Sequence, residues 1–203
     1  MLKFMEKDLF DVYFKKLNSC GVSEEACKTL RETYGDLLRI GSYSTTTENG
    51  LAYEGSLVDV VLKKLALFAV KINEIYPEQV MVDKKSLVKV CLLQHISKSL
   101  RFVKSKDEWR INKLGEAYTY TTGMPAIGIG LHSLIMANSC GIEFTPFEAE
   151  AMTIIDRKDD DTQAKYYSSM MTSIIRQANE MVYNYSHEVQ RIKKLEEEQN
   201  TAQ

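Results

Sequence analysis

The sequence predicts a mainly α-helical protein, and three observations carry that expectation. Punctuation is sparse: the 203 residues include only three prolines (Pro77, Pro125, Pro146) and ten glycines. Between them run long stretches with apolar residues every three or four positions, the period of a helix face. One stretch, Glu54 to Ile75, is apolar nearly all round through Leu57, Val58, Val60, Val61, Leu65, Leu67, Phe68, Val70 and Ile72. That pattern belongs to a central helix rather than a surface one. Finally, the segment from Asp161 to Glu198 keeps helical spacing throughout. As one helix it would be about 55 Å long, more than a small domain's width.

The elements follow in order. A first helix is expected from about Glu6 to Leu17, with Leu9, Phe10, Tyr13, Phe14 and Leu17 on one stripe, ended by "NSCGVS". Ser23 then reads as an N-cap, with Glu24 and Glu25 where the helix dipole favours acids. This second helix should reach about Ile40. "GSYSTTTENG", Gly41 to Gly50, is a polar loop with a turn signal at Asn49-Gly50. After the central helix and Pro77, a helix is expected from Lys84 to Phe102, with Gln94 and His95 side by side in its apolar middle. "KSKDEWRINKLGEAYTYTTG" has the alternation and aromatic enrichment of a hairpin turning near Lys113 to Glu116. Helix should resume from Met124 to Cys140. In "FTPFEAEAMTII", Thr145, Pro146 and Glu148 form a capping box with proline at the first helical position.

"DRKDDD", Asp156 to Asp161, breaks the pattern before the last helix. Along that helix, Met171, Ile174 or Ile175, Ala178, Met181 or Val182, Tyr185, Val189, Ile192 and Leu195 make a seam. Its first half should pack in the core. Its second half should project and offer Tyr185, Val189, Ile192 and Leu195 to a protein partner or another copy of the chain.

Composition narrows the function classes. Hydrophobic residues are 44% and charged residues 27%, enough for a sizeable core. With 26 basic and 28 acidic residues, the net charge of −2 does not favour a broad electrostatic grip on nucleic acid. Charges interrupt "MLKFMEKDLFDVYFKK", unlike a signal peptide, and no segment reads as a membrane span. The expectation is an intracellular protein. Cys20, Cys27, Cys91 and Cys140 lack metal-ligand spacing, so reduced, mostly buried thiols are expected, with no zinc site.

Candidate chemistry is thin. "DRKDDD" has oxygen ligands for a cation but lacks the glycine turn and distal glutamate of a calcium loop, and reads as an interhelical loop. His95, His132 and His187 share no ligand spacing; His187 should be exposed. "GIGLHS" is not a nucleophile elbow, and "GMPAIGIG" follows no clear strand, so it is not a phosphate loop.

Taken together, several pieces resemble the HD-domain phosphohydrolase superfamily, especially its small stand-alone members from bacteria and phages. "AYEGSLVDVVL" (Ala52 to Leu62) is similar to that family's "AYEGGLLEH", and "LLQHISK" (Leu92 to Lys98) to its "LLHDICK". "EWRI" and "AYTYTTGMP" fall where the family has a variable hairpin. "GIGLHSL" (Gly128 to Leu134) matches a glycine-framed histidine motif, "TPFEAEAMTII" (Thr145 to Ile155) the penultimate helix, and "IIRQANEMV" (Ile174 to Val182) the last. The resemblance implies an HD-like helical bundle at 48–182, with a small β-hairpin insertion, after an N-terminal helical segment at 1–47 and before a projecting C-terminal helix and tail at 183–203.

In the family, histidines and aspartates hold metals that activate water against a phosphate ester. Here the matching positions are Val60, the pair Gln94-His95, Ile129, Ile155 (beside Asp156) and Asn179. Valine and isoleucine have no lone pair to offer. The resemblance therefore implies a degenerate member with no metal, no cofactor and no catalysis, keeping a structural or adaptor role. Similarity to phage members implies a virion component or a modulator of a host protein, in host cytoplasm or inside a particle. The alternative is a divergent phosphohydrolase using His95, His132 and Asp156 in a rearranged site. A third reading is a nucleotide sensor in which Lys98 and Arg157 meet phosphate.

Overall fold

The computed structural model describes residues 2–156 and 168–201. It begins with two helices, α1 (Leu2–Ser19) and α2 (Glu24–Ile40), packed on each other. The chain turns between them at Gly21, whose φ of 91° is open to glycine without strain. Ser23 caps α2 by accepting the Ala26 amide at 3.1 Å, as its sequence signature requires. Phe10, Tyr13, Phe14 and Leu17 of α1 join Cys27, Leu30 and Leu38 of α2 in the main core, so the N-terminal segment is part of one continuous apolar interior.

The central helix is built in three pieces: α3 (Ser56–Val60), a π-type turn (Val61–Leu65) and α4 (Ala66–Asn73). Its start touches α1 and α2, and its later turns lie against α5 (Lys84–Leu93) and the C-terminal α10 (Met170–Thr201). Neighbours on several sides explain why its sequence is apolar nearly all round.

The helix expected from Lys84 to Phe102 is broken. α5 ends at Leu93, residues 94–97 form tight turns, and α6 is only Lys98–Arg101. The cause lies far away in sequence. The Ser97 amide is taken by the Ser133 hydroxyl at 3.0 Å instead of by a carbonyl one turn back, and the Ser97 hydroxyl donates to the Ile129 carbonyl at 2.8 Å. The Leu92 carbonyl accepts from Tyr13 Oη at 2.9 Å. Three distant groups thus absorb the backbone and side-chain bonds at the break.

Phe102 opens a strand. β1 (Phe102–Lys104) pairs antiparallel with β2 (Tyr118–Tyr120), Phe102 opposite Tyr120 and Lys104 opposite Tyr118. The expected hairpin is present but wider, because "EWRI" is helix, not strand: α7 (Glu108–Leu114) lies between the strands. Asp107 accepts the amides of Trp109 and Arg110, and Gly115 at φ 64° ends the helix. Those two caps override the β-branched alternation of the segment.

α8 (Ile129–Ser139) starts later than Met124, since Gly128 is its N-cap and Pro125 precedes it. α9 (Pro146–Thr153) begins with the full capping box: Thr145 accepts the Glu148 amide at 3.2 Å, and Glu148 accepts the Thr145 amide at 2.8 Å. A short 3-10 turn, Ile154–Asp156, follows. The remainder of "DRKDDD", the expected helix start at Asp161, and Arg157 lie outside the described residues.

α10 packs against α4 and α9. Met171, Ile174, Ile175, Ala178 and Val182 are buried, as is Ser186, whose hydroxyl accepts from Lys64 at 2.9 Å. Val189 and Gln190 are half-buried, and residues 191–200 are all exposed. At the two ambiguous seam positions, Ile174 and Ile175 are both buried, whereas Val182 faces inward and Met181 outward. Among the described residues, no helix is long and apolar enough to cross a membrane. All four cysteines are buried free thiols.

Candidate functional site

The break after α5 places Gln94 and His95 at the end of a helix rather than in its middle. Both are buried, facing α10 where Asn179 comes down and the 41–50 loop where Tyr43 comes in. Tyr43 is held there from several directions. Its amide donates to the Ser56 hydroxyl at 2.8 Å, and its carbonyl accepts from Lys98 Nζ at 2.8 Å. The loop beyond is pinned to the hairpin by the Tyr118 amide on the Thr45 carbonyl (3.1 Å) and the Thr47 amide on the Gly115 carbonyl (2.9 Å).

The resulting cluster is connected throughout. His95 Nε2 lies 2.8 Å from Asn179 Oδ1 and 3.1 Å from Tyr43 Oη. An amide oxygen only accepts, so Nε2 carries the proton and donates to Asn179. Asn179 Nδ2 donates to Gln94 Oε1 at 3.1 Å and to the Ile175 carbonyl at 2.9 Å. The Tyr43 and His95 rings meet edge-on at 4.8 Å. Two buried polar atoms, Gln94 Nε2 and His95 Nδ1, have no hydrogen-bond partner.

Electrostatics keep His95 and Tyr43 uncharged. Burial pushes His95 well below its usual range, Lys98 nearby pushes the same way, and the Asn179 bond opposes both. Burial also lifts the Tyr43 phenol well above its usual value. Lys98 is 3% exposed, with its ammonium 3.8 Å above the Tyr43 ring centre, and burial lowers it from 10.5 to about 7.

Of the six positions matched to metal ligands, the structure brings Gln94, His95 and Asn179 into direct contact. Val60 is buried in the main core, and Ile155 is half-buried against it. Ile129 lies apart, packed on a small second cluster of Ala52, Phe102 and Tyr118. It reaches the α5–α6 break only through its carbonyl, on Ser97.

His132 and Asp156 each have work elsewhere. His132 Nδ1 accepts from Arg101 Nε at 3.1 Å, and its imidazole is held low by burial and by that guanidinium. Asp156 takes the Gly130 amide at 3.0 Å and the Leu131 amide at 2.8 Å, which makes it the side-chain cap of α8. This accounts for the glycines of "GIG". A Cβ on Gly128 would fall 2.0 Å from the Asp156 carboxyl carbon, and one on Gly130 2.1 Å from the Met152 carbonyl oxygen. They admit a carboxylate of the chain itself. Among the described residues, no carboxylate joins the 94–95–179 cluster, and no three His, Cys, Asp or Glu side chains group as a metal site would need. One imidazole, whose Nε2 is already donating, and two amides do not fit the divalent metal that the HD resemblance implies.

Tyr43 is the member of this cluster that sequence reasoning missed; Lys98, expected to meet phosphate, is buried against it instead. Tyr43 is the one aromatic residue in an otherwise polar loop, a signal that could have flagged it. Lys98 offers its ammonium to a tyrosine carbonyl rather than to solvent. The proposed seam residues divide: the Tyr185 ring meets Phe68 edge-on at 5.6 Å, Val189 is half-buried, and Ile192 and Leu195 are exposed. No protein-family model matches the chain, and no curated protein or solved structure is a match to it.

Proposed function

We propose that this protein is a non-catalytic helical scaffold with an HD-like arrangement, acting as a structural or adaptor component through protein contacts of its C-terminal helix. The observation that supports this reading is the closed cluster of Tyr43, Gln94, His95 and Asn179. Where the HD resemblance would put ligands for a metal, this chain has side chains that hydrogen-bond one another. A general base must reach a substrate proton. His95 is buried, and its protonated nitrogen is committed to Asn179. Tyr43 covers it from the loop side. Such a cluster serves as a polar fastener, joining the end of α5, the loop and α10.

The test is direct. The purified protein is assayed for manganese, iron, nickel and zinc, and for hydrolysis of a generic phosphate ester and of nucleotides with each metal added. Substoichiometric metal and no turnover above buffer are expected. Stoichiometric metal accompanied by phosphatase activity overturns the reading.

A further inference from the structure

Residues 122–128, the "TGMPAIG" run between β2 and α8, are fixed at both ends. At the start, the Thr121 amide donates to the Arg101 carbonyl at 2.8 Å and the Thr121 hydroxyl to the Leu100 carbonyl at 2.9 Å. At the end, Gly128 is the N-cap of α8, and its carbonyl accepts the His132 amide at 3.0 Å. The stretch between has few ties. Among the described residues, Met124 and Ile127 join neither apolar cluster. The hydrogen bonds that hold 122–127 to the body, among the described residues, both come from one group. Arg101 Nη2 donates to the Ile127 carbonyl at 2.7 Å and to the Pro125 carbonyl at 3.3 Å.

Arg101 is itself aimed by His132, whose Nδ1 accepts from Arg101 Nε at 3.1 Å. A guanidinium only donates, so Nδ1 is the bare nitrogen of a neutral ring that carries its proton on Nε2. Among the described residues no carboxylate pairs with Arg101; its acceptors are two carbonyls and this imidazole. Of the three, only the imidazole can be switched off by a proton. A protonated ring would turn an N–H and a positive charge toward a cation.

The surroundings isolate that proton. His132 is the only ionisable side chain from Thr121 to Ser139, so the loop and α8 carry no other. Two groups face it from neighbouring elements: Arg101, and Asp156, which takes the Gly130 and Leu131 amides just ahead of it. The acids of α9 are engaged elsewhere, Glu148 with Lys89 of α5 and Glu150 with the Ser169 amide. α8 meets the end of α5 at the Ser97–Ser133 bond, where His95 is bound to Asn179; Lys84 and Lys85 lie at the other end of α5.

We propose that Arg101 and His132 form an acid-released latch on the 122–128 loop: the neutral imidazole aims the guanidinium at the loop carbonyls, and a proton on Nδ1 turns it away. Burial and the guanidinium both lower His132 from 6.5, so the latched form disfavours the proton and the released form takes it. The latch is complete above about pH 6.5 and is lost as pH falls through the lowered value. Release frees the connection whose next residue, Ile129, holds the Ser97 hydroxyl at the α5–α6 break.

Nitrogen-15 relaxation of the full chain tests this at about pH 7.5 and about pH 5, both above the ordinary carboxylate range. Order parameters of residues 122–127 should match rigid backbone, about 0.85, at the higher pH and fall below about 0.6 at the lower, while those of β1 hold. His132→Gln, whose amide oxygen accepts from Arg101 without titrating, should keep the loop ordered at both. Arg101→Leu should leave it mobile at both and raise the pKa of His132, read by NMR titration of the ring. A native loop equally ordered at the two pH values overturns the proposal, as does one already mobile at the higher. So does a pH dependence that survives in His132→Gln, or a His132 titration indifferent to Arg101. The native chain decides the first two outcomes by itself, so a variant that fails to fold leaves the test standing.

Discussion

Lys98 is the most informative residue to perturb, because its burial gives stability a pH signature. Its ammonium donates to the Tyr43 carbonyl and lies over the Tyr43 ring, and burial is the cause that lowers it from 10.5 to about 7. The folded value is below the unfolded one. Below about pH 7 both states hold the proton, and the folded state bears the full cost of a buried cation. Between about pH 7 and about pH 10.5 only the unfolded chain holds it, so stability rises with pH, by up to about 1.4 kcal/mol per pH unit. Above about pH 10.5 the cost is gone.

At full expression that cost is about 5 kcal/mol. Lys98→Met keeps the length of the side chain and removes the amine. It also leaves the Tyr43 carbonyl without its donor, a penalty of about 1–3 kcal/mol that does not vary with pH. The difference in unfolding free energy, variant minus native, should therefore fall by about 3–4 kcal/mol between about pH 7 and about pH 10. Urea unfolding of both chains at a series of pH values measures it. A difference that stays flat with pH would refute the reasoning, because it would mean that the Lys98 ammonium is solvated or paired.

Three further outcomes follow from the same bonds. Asn179→Asp puts a carboxylate where the HD resemblance implies one but removes the donor to Gln94 and Ile175. It should destabilise the fold by about 1–3 kcal/mol at neutral pH and raise the His95 pKa, read by NMR titration of the ring. Asp156→Ala uncaps α8 and should lower stability by about 1–2 kcal/mol in urea unfolding, while Gly128→Ala should disturb the same cap by collision. Lys89→Met strands the buried Glu148 and should be destabilising by about 3–5 kcal/mol at neutral pH. Burial raises Glu148, but Lys89, the Thr145 amide and Ser86 outweigh it and hold the carboxyl below its usual range. That pair's contribution is present above the ordinary carboxylate pKa and lost as pH falls through the lowered folded value, so acid should narrow the gap between variant and native.

Legibility in the sequence tracked the range of the forces involved. Ser23, Thr145 and Glu148 act on amides within three residues, and they cap α2 and α9 as expected. Asp107 and Gly115 are equally local, yet here the alternating aromatics of the segment pointed to strand and hid α7. The α5–α6 break has no local sign, because Ser97 is separated from Ser133 by 36 residues. Tyr43 and His95, 52 residues apart, likewise meet only through the loop's ties to Ser56, Lys98 and the hairpin.

By itself, then, the sequence determined the helical class, the central helix, the two strongest caps and a C-terminal helix whose core face fades toward its end. Periodicity and capping are properties of a few adjacent residues, and they survive reading one chain at a time. Only the tertiary structure decided that the Gln94-His95 pair sits at a broken helix end, that Asn179 and Tyr43 bond to it, and that Asp156 fills the glycine-framed turn. Those outcomes depend on which buried donors find which acceptors once distant elements pack, and burial makes each unpaired group costly enough to decide the local backbone.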